Sequence, residues 1–346
     1  MKKTPIKDIG EFGLIRKIAS RIELYHSGSK LGIGDDAAII DASDQQTVIS
    51  TDMLMEGVHF DLSYSPLKHL GYKAMAVNFS DIAAMNAVPK QAVVSLALSS
   101  RFTVEAVEVL YEGMRLACEQ YRVDLVGGDT TSSQSGLGIS VTAIGQAPAH
   151  KVVRRSGAKV GDVLCITGDV GAAYLGLQLL EREKQVLKDA PEAMPQLESY
   201  TYLLERQLKP EARTDIIYDL YEKGVQPGSL IDVSDGIASE VFHICEQSEV
   251  SAVVYEEKLP FHPRSAQVAG EVFQIPLATC ALNGGEDYEL LMTFSQEDFK
   301  KIEDHADITP IGYIREQGDP SVMVSRQNQV IPLQAQGWNH FAKGGG

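Results

Sequence analysis

LIDVSDGIASEVFHI, Leu230 to Ile244, is the stretch on which the rest of the reading turns: an apolar run ends in Asp232, Ser234, Asp235 and Gly236 and then takes up a helical pattern. Across a strand-to-helix turn, Asp232 and Asp235 can point at one ion while Ser234 adds a hydroxyl. Gly236 lets backbone approach a ligand closely, and free amides at the start of the helix favour anions. The alternative is that Ser234 or Asp235 caps the helix ASEVFHI, and the two readings are compatible.

Four other stretches share this chemistry: GIGDDAAII around Asp35 and Asp36, STDMLMEGVHF around Asp52, NFSDIAAMNAVP around Asp81, and LVGGDTT around Asp129. Carboxylates beside Gly, Ser and Thr, read as lying at strand ends or glycine turns, suit hard cations. Mg²⁺ in particular takes oxygen ligands and usually only one or two protein carboxylates, with phosphate oxygens completing its shell. Asp81 sits among Ala, Phe and Ile, where an unpaired buried carboxylate is costly, so a metal or cationic partner is favoured. There is no His/Cys metal set, no Ser-His-Asp order and no G-x-x-x-x-G-K-[ST]. Gly32, Gly34 and Ala37 match G-x-G-x-x-A only loosely, because no helix pattern follows and two carboxylates occupy the loop. What remains is phosphoryl transfer assisted by several Mg²⁺ ions, in which positioning and charge neutralisation are the catalysis.

Composition narrows the partners. Lys and Arg total 31 against 47 Asp and Glu, a formal charge of -16, which repels nucleic acid and anionic lipid. An acidic protein that binds a polyphosphate must do so through metal ions and backbone amides. No apolar run approaches the roughly 20 residues of a membrane helix, and MKKTPIKDIGEFGLIRKI has no signal-peptide core, so a cytoplasmic protein is expected. Cys118, Cys165, Cys245 and Cys280 lie far apart in apolar segments and are expected as buried, reduced thiols.

Along the chain, strand patterns alternate with helical ones. A stripe at Phe12, Ile15, Ile18 and Ile22 predicts a helix, and AAII and TVIST predict strands. Ser65 and Pro66 are placed at the cap and first turn of a helix that closes before Pro89. Thr103 caps a second helix with the stripe Val107, Leu110, Met114, Ala117, flanked by the strands KQAVVSLALSS, VDLVGGDTTSS and LGISVTAIGQA. Near residue 150 a basic, Gly-rich run, APAHKVVRRSGAKVGD, marks a domain boundary. Beyond it DVLCITG, SLIDV, SAVVYEEKLP, NGGEDYELLMTF, ITPIGYIRE and VMVSRQNQVIPL read as strands. GAAYLGLQLLERE and TDIIYDLYEKG read as helices, and KQVLKDAPEAMPQLES as an exposed connection. The fold class is α/β (α+β) in two domains, residues 1–150 and 151–346.

In order and across nearly the whole chain, GIGDDAAII, STDMLMEGVHF, NFSDIAAMNAVP, VGGDTT, RRSGAKVGDVLCITG, DVSDGIASEV, NGGEDYELL and GWNHF resemble the motif set of the thiamine-monophosphate kinase family, of the aminoimidazole ribonucleotide synthetase-like superfamily. The resemblance implies ATP-dependent phosphorylation of thiamine monophosphate to thiamine diphosphate. It implies an N-terminal ATP- and Mg²⁺-binding α/β domain whose sheet pairs with its copy in a homodimer, and a C-terminal α/β domain completing the ATP and substrate site. Carried over, Asp35, Thr51, Asp52, Asp81, Asp129, Asp232 and Asp235 coordinate Mg²⁺. Gly128, Asp129, Arg155 and Ser234 contact ATP, and His59, Glu286 and Trp338 contact the thiamine substrate. Arg154 competes with Arg155 as a phosphate clamp, and Asp287 with Glu286. Asn86 stands where the family often has Gly, and tolerates the left-handed conformation. The acceptor, a phosphate monoester oxygen with second pKa about 6, needs no general base at neutral pH. The alternatives are another ATP-using enzyme of the superfamily and a non-catalytic nucleotide-binding protein.

Overall fold

The computed structural model describes residues 17–18, 20–31, 39–40, 45–192 and 197–335. Most of the helix expected from Gly10, the loop carrying Asp35, and Trp338 lie outside these residues. The chain divides into two compact units, Met1–Val152 and Val153–Gly346. The four cysteines are buried, free thiols, as expected.

In the first unit, β1 (Ser29–Leu31) and β2 (Ile39–Ile40) form a small antiparallel pair. The main sheet holds β3 (Gln46–Met55), β4 (Val88–Leu98), β5 (Asp124–Ser132) and β6 (Leu137–Ala147) in the order β3-β6-β4-β5, antiparallel except for the parallel pair β4/β5. Helix α1 (Leu67–Ala83) packs on β3, β4 and β6, and α2 (Val104–Tyr121) packs on α1 and β5. α2 buries Val107, Leu110, Met114, Ala117 and Tyr121 along one stripe, and its first turn is closed by Thr103 Oγ1, which accepts from Ala106 N at 3.4 Å. The two helices approach until backbones touch. A Cβ on Gly71 would stand 2.0 Å from Leu110 O, and one on Gly113 1.8 Å from Lys68 O. The helices cover one face, and on the other, among the described residues, β3 leaves Ile49 64% and Met53 60% exposed.

The second unit is built on a seven-stranded sheet of β7 (Val163–Thr167), β8 (Ser229–Asp232), β9 (Val250–Tyr255), β10 (Leu290–Phe294), β11 (Ile308–Glu316), β12 (Val322–Val324) and β13 (Val330–Pro332), in the order β13-β12-β9-β11-β7-β10-β8. Its helices are α3 (Ala172–Asp189), α4 (Thr201–Leu208), α5 (Thr214–Lys223), α6 (Ile237–Ser248), α7 (Pro263–Gln267), α8 (Leu277–Asn283) and α9 (Gln296–Lys300). α6 packs on β8, β9 and β10, placing Ile237, Val241 and Ile244 in a core with Leu164, Ile231, Leu291 and Ile311. A second cluster joins Leu175 and Leu179 of α3 to Leu203 of α4 and Cys280 of α8.

Several boundaries differ from the sequence reading. Pro66 is itself the residue before α1, which begins at Leu67 with no side-chain cap, because extended backbone at Pro66 (ψ 135°) cannot start the helix. α3 runs on through KQVLKD, which was expected as loop, because its buried stripe Leu175, Leu179, Leu180 and Glu183 draws the helix along the core. VMVSRQNQVIPL is two strands joined by a turn in which Asn328 has φ 60° and Ser325 N donates to Gln329 O. Asn86 takes φ 54° and donates to Lys151 O at 2.7 Å, the left-handed turn anticipated for it.

Candidate functional site

In the first unit, strand alternation sorts the acidic motif STDMLM. Val48, Ser50, Asp52 and Leu54 face the helices, while Ile49, Thr51, Met53 and Met55 face outward. Asp52 therefore lies inside β3, not at its end, and Asp81 inside α1. The two are brought near one another by a short polar ladder. Asn78 Oδ1 accepts from Asp52 N at 3.0 Å, Asn78 Nδ2 donates to Ala74 O at 2.9 Å, and Ser50 Oγ donates to Asp81 Oδ2. Burial first, and the charge of Asp81 second, push the Asp52 carboxyl up to about 6. A pair of half-buried carboxylates that repel each other is what a divalent cation relieves, so the donor set fits Mg²⁺.

Thr51 and Asp129 do not join this pair. Neighbouring residues on a strand point to opposite faces, so Thr51 Oγ1 is turned outward, donating to Val141 O at 3.0 Å and accepting from Thr142 Oγ1 at 2.9 Å. Asp129 lies within β5 rather than in a turn, exposed, its Oδ1 accepting from Thr130 N at 2.8 Å. The register Asp129↔Ser95↔Ser140↔Met53 puts it on the outward face and at the opposite edge from β3. Three strand spacings, about 14 Å, lie between them. Gly128 beside it sits so tightly against β4 that a Cβ would stand 1.9 Å from Val94 O. His59 follows β3 and closes its turn, Nδ1 accepting from Met55 N at 3.0 Å.

In the second unit, DVSDG and NGGED form one constellation. Asp232 ends β8, paired with Leu290. The two loops are stitched by backbone: Glu286 N donates to Ser234 O at 2.8 Å, Tyr288 N to Val233 O at 2.9 Å, and Val233 N to Glu289 O at 2.8 Å. Gly236, at φ 108°, precedes α6 with no side-chain cap, and its missing Cβ would meet Leu282 O at 2.7 Å. The capping alternative is thus overturned: neither Ser234 nor Asp235 caps α6. Glu240, one turn inside the helix, reaches back instead, accepting from Asp235 N at 3.0 Å. Burial pushes the Glu240 carboxyl up to about 7, against the pull of that amide and of the Arg155 charge. Arg155 therefore stands within electrostatic range of the α6 start. It is carried there by a segment whose Arg154 O accepts from Leu230 N at 3.0 Å.

Asp287 and Glu286 divide their roles. Asp287, 1% exposed, accepts from Gly171 N at 2.6 Å and Ala173 N at 3.2 Å, holding the first turn of α3. Burial pushes it up to about 7, against Arg206 and the two amides. Glu286 is half-buried and takes a hydrogen bond from Gln207 Nε2 at 2.5 Å. Behind them is a buried ionic network that the sequence reading missed. Glu289 pairs with Arg206 at 2.9 Å and Arg213 at 2.7 Å and accepts from Thr167 Oγ1 at 2.6 Å. Burial pulls both guanidiniums down, and the carboxylates around them, Glu289 foremost, more than reverse that. Glu240 left one legible signal: it falls three residues after Ile237 and one before Val241, on the apolar face of α6. The Arg206–Glu289–Arg213 set left none, because a long-range charge pair has no local period.

Among the described residues no three His, Cys, Asp or Glu side chains make a ready metal centre, and no helix is long and apolar enough to cross a membrane.

Two sheets with helices packed on them define the class, a two-domain α/β fold. The AIR synthase related protein, N-terminal domain, family model matches residues 34–147. The same fold recurs in the hydrogenase maturation protein HypE of E. coli, at 17% identity and a TM-score of 0.71, with 94% of this chain and 96% of that one covered. The thiamine-monophosphate kinase of Bacillus subtilis is 37% identical over 96% of this chain and 99% of its own length. AaThiL complexed with AMPPCP and TMP superposes with a TM-score of 0.75 at 33% identity, over 99% of this chain and 100% of that one. The chain belongs to the thiamine-monophosphate kinase family, and so is an enzyme of the kinase class.

Proposed function

We propose that this protein transfers the γ-phosphoryl group of ATP directly, in line, to a phosphate oxygen of thiamine monophosphate, giving thiamine diphosphate and ADP. The observation that carries the reading is the likeness, over essentially the full chain, to a kinase captured with AMPPCP and TMP. Asp52 with Asp81, and Asp232 with Asp235, are the pairs proposed to hold Mg²⁺, with Asp35 and Asp129 as further ligands. Thr51, its hydroxyl turned outward, would contribute only through its backbone. Bound Mg²⁺ would neutralise phosphate charge. Arg155, Gly128, Ser234 and the uncapped start of α6 are each proposed to contact ATP phosphates, and Asp129 to contact ATP through bound Mg²⁺. Glu286, His59 and Trp338 are proposed to meet the thiamine substrate. With an acceptor oxygen already deprotonated at neutral pH, the protein's task is alignment rather than proton removal.

The working form is proposed to be a cytoplasmic homodimer, the cytoplasm because the reaction draws on ATP. The exposed sheet face of Ile49, Met53 and Met55 supports a partner copy: an apolar patch of this kind on one face of a sheet marks an interaction surface. Incubation with MgATP and thiamine monophosphate is expected to yield ADP and thiamine diphosphate in equal amounts, and none with EDTA or with free thiamine as acceptor. ATP consumption without the diphosphate would overturn the assignment.

A further inference from the structure

The stretch Glu286-Asp287-Tyr288 has an unusual backbone. Glu286 has φ 69° and Tyr288 φ 53°, two non-glycine residues in the left-handed region within three positions. Such conformations cost free energy and persist only where the surroundings dictate them. Here they are dictated from three sides. The amides of Glu286 and Tyr288 donate to Ser234 O and Val233 O, the Asp287 carboxylate is held by the first turn of α3, and Arg206 donates to Asp287 O at 3.2 Å. Arg206 also donates to Asp169 O at 3.1 Å, tying this stretch to the one after β7.

The side chain of Glu286 is held as well as its backbone. Gln207, the residue after Arg206 on α4, is 5% exposed, and its Nε2 donates to Glu286 Oε2 at 2.5 Å. A neutral amide donor on one carboxylate oxygen fixes the rotation of the group without cancelling its charge. An arginine at 207 would have neutralised Glu286, and a leucine would have left it to rotate. Consecutive residues of one helix thus do two jobs. Arg206 anchors the main chain through the Glu289 network, and Gln207 aims the carboxylate.

We infer that Gln207 is a positioning residue for the acceptor substrate: by holding Glu286 Oε2 it sets the direction in which that carboxylate meets the thiamine moiety, while Arg206 keeps the loop beneath it in its left-handed form. The inference rests on the reading of Glu286 as an acceptor contact, and it adds α4 to the specificity apparatus.

The test is steady-state kinetics on Gln207→Met, which keeps the side-chain length and removes the donor. KM for thiamine monophosphate is expected to rise about tenfold, the worth of one hydrogen bond to a charged group, with kcat and KM for ATP close to wild type. Glu286→Gln and the double variant are measured beside it. If Gln207 acts through Glu286, adding Gln207→Met to Glu286→Gln changes acceptor KM by no further factor. An unchanged acceptor KM in Glu286→Gln would remove the acceptor contact itself and the inference with it. A raised KM in Glu286→Gln with a normal KM in Gln207→Met would overturn the positioning role alone. Equal losses toward ATP and acceptor, or independent factors in the double variant, would make Gln207 a packing residue. Should Gln207→Met unfold, Gln207→Glu tests the same point at equal size, with a larger rise in acceptor KM expected because the carboxylates repel.

Discussion

Asp52 and Asp81 in the first unit and Glu289 in the second are carboxylates placed among buried groups, and the protein treats them in opposite ways. Glu289 is sandwiched by two guanidiniums and a threonine hydroxyl. Asp52 has a second carboxylate for a neighbour, and burial first and that charge second push it up to about 6. Buried charge is tolerated when it is paired, so the first arrangement is scaffold. Like charges held together favour a cation from outside, so the second is proposed as a site. The lesson is that location among buried groups does not distinguish structure from function here, whereas the sign of the neighbouring charge does.

The largest effect expected from breaking this contrast falls on the sites. Asp235→Asn should lower turnover by about two to three orders of magnitude, the usual scale for removing one electrostatic contact to a transition state, without lowering the unfolding temperature. Normal turnover would take Asp235 out of the metal site. Next comes the scaffold: Glu289→Ala takes the paired carboxylate from Arg206 and leaves Arg213 with only the exposed Asp215 and Asp307, and should cost about 3–5 kcal/mol in denaturant unfolding, the scale for removing one partner of a buried pair. A loss below that range would mean that water or Asp215 replaces the carboxylate. Mg²⁺ with a non-hydrolysable ATP analogue should raise the unfolding temperature of the wild type, and raise it less in Asp52→Asn, because ligand bound only by the folded state stabilises it by mass action. The smallest effect is expected at the exposed pair Arg115–Glu119, where Glu119→Ala should change stability by no more than about 0.5 kcal/mol. A large change there would show that pairing alone, regardless of burial, holds this protein together.

How much of this was legible in the sequence depended on whether the determining physics was local. The stripe and cap of α2 could be read directly, since Thr103 and the apolar positions at helical spacing are neighbours in the chain. The acidic motifs could be found, but their placement could not. The polar Ser-Thr-Asp predicts a strand end at Asp52. In fact β3 is a half-exposed edge strand whose alternation carries it through to Met55, and the same alternation separates Thr51 from Asp52. From Phe261 to Leu282 no period can be read, because Pro263, Gly270 and Pro276 break the stretch into helices too short to show one. The role of Gln207 was invisible, since it depends on a partner 79 residues away.

The most direct test is turnover of Asp81→Asn with MgATP and thiamine monophosphate, per mole of folded protein, with the thermal midpoint recorded on the same sample. Asp81 accepts from Ser50 Oγ and has a like charge for a neighbour in Asp52. We therefore expect turnover to fall at least about a hundredfold while the midpoint holds or rises. Wild-type turnover, or a collapse of the midpoint, would contradict the distinction between a proposed site of like charges and a scaffold of opposite ones.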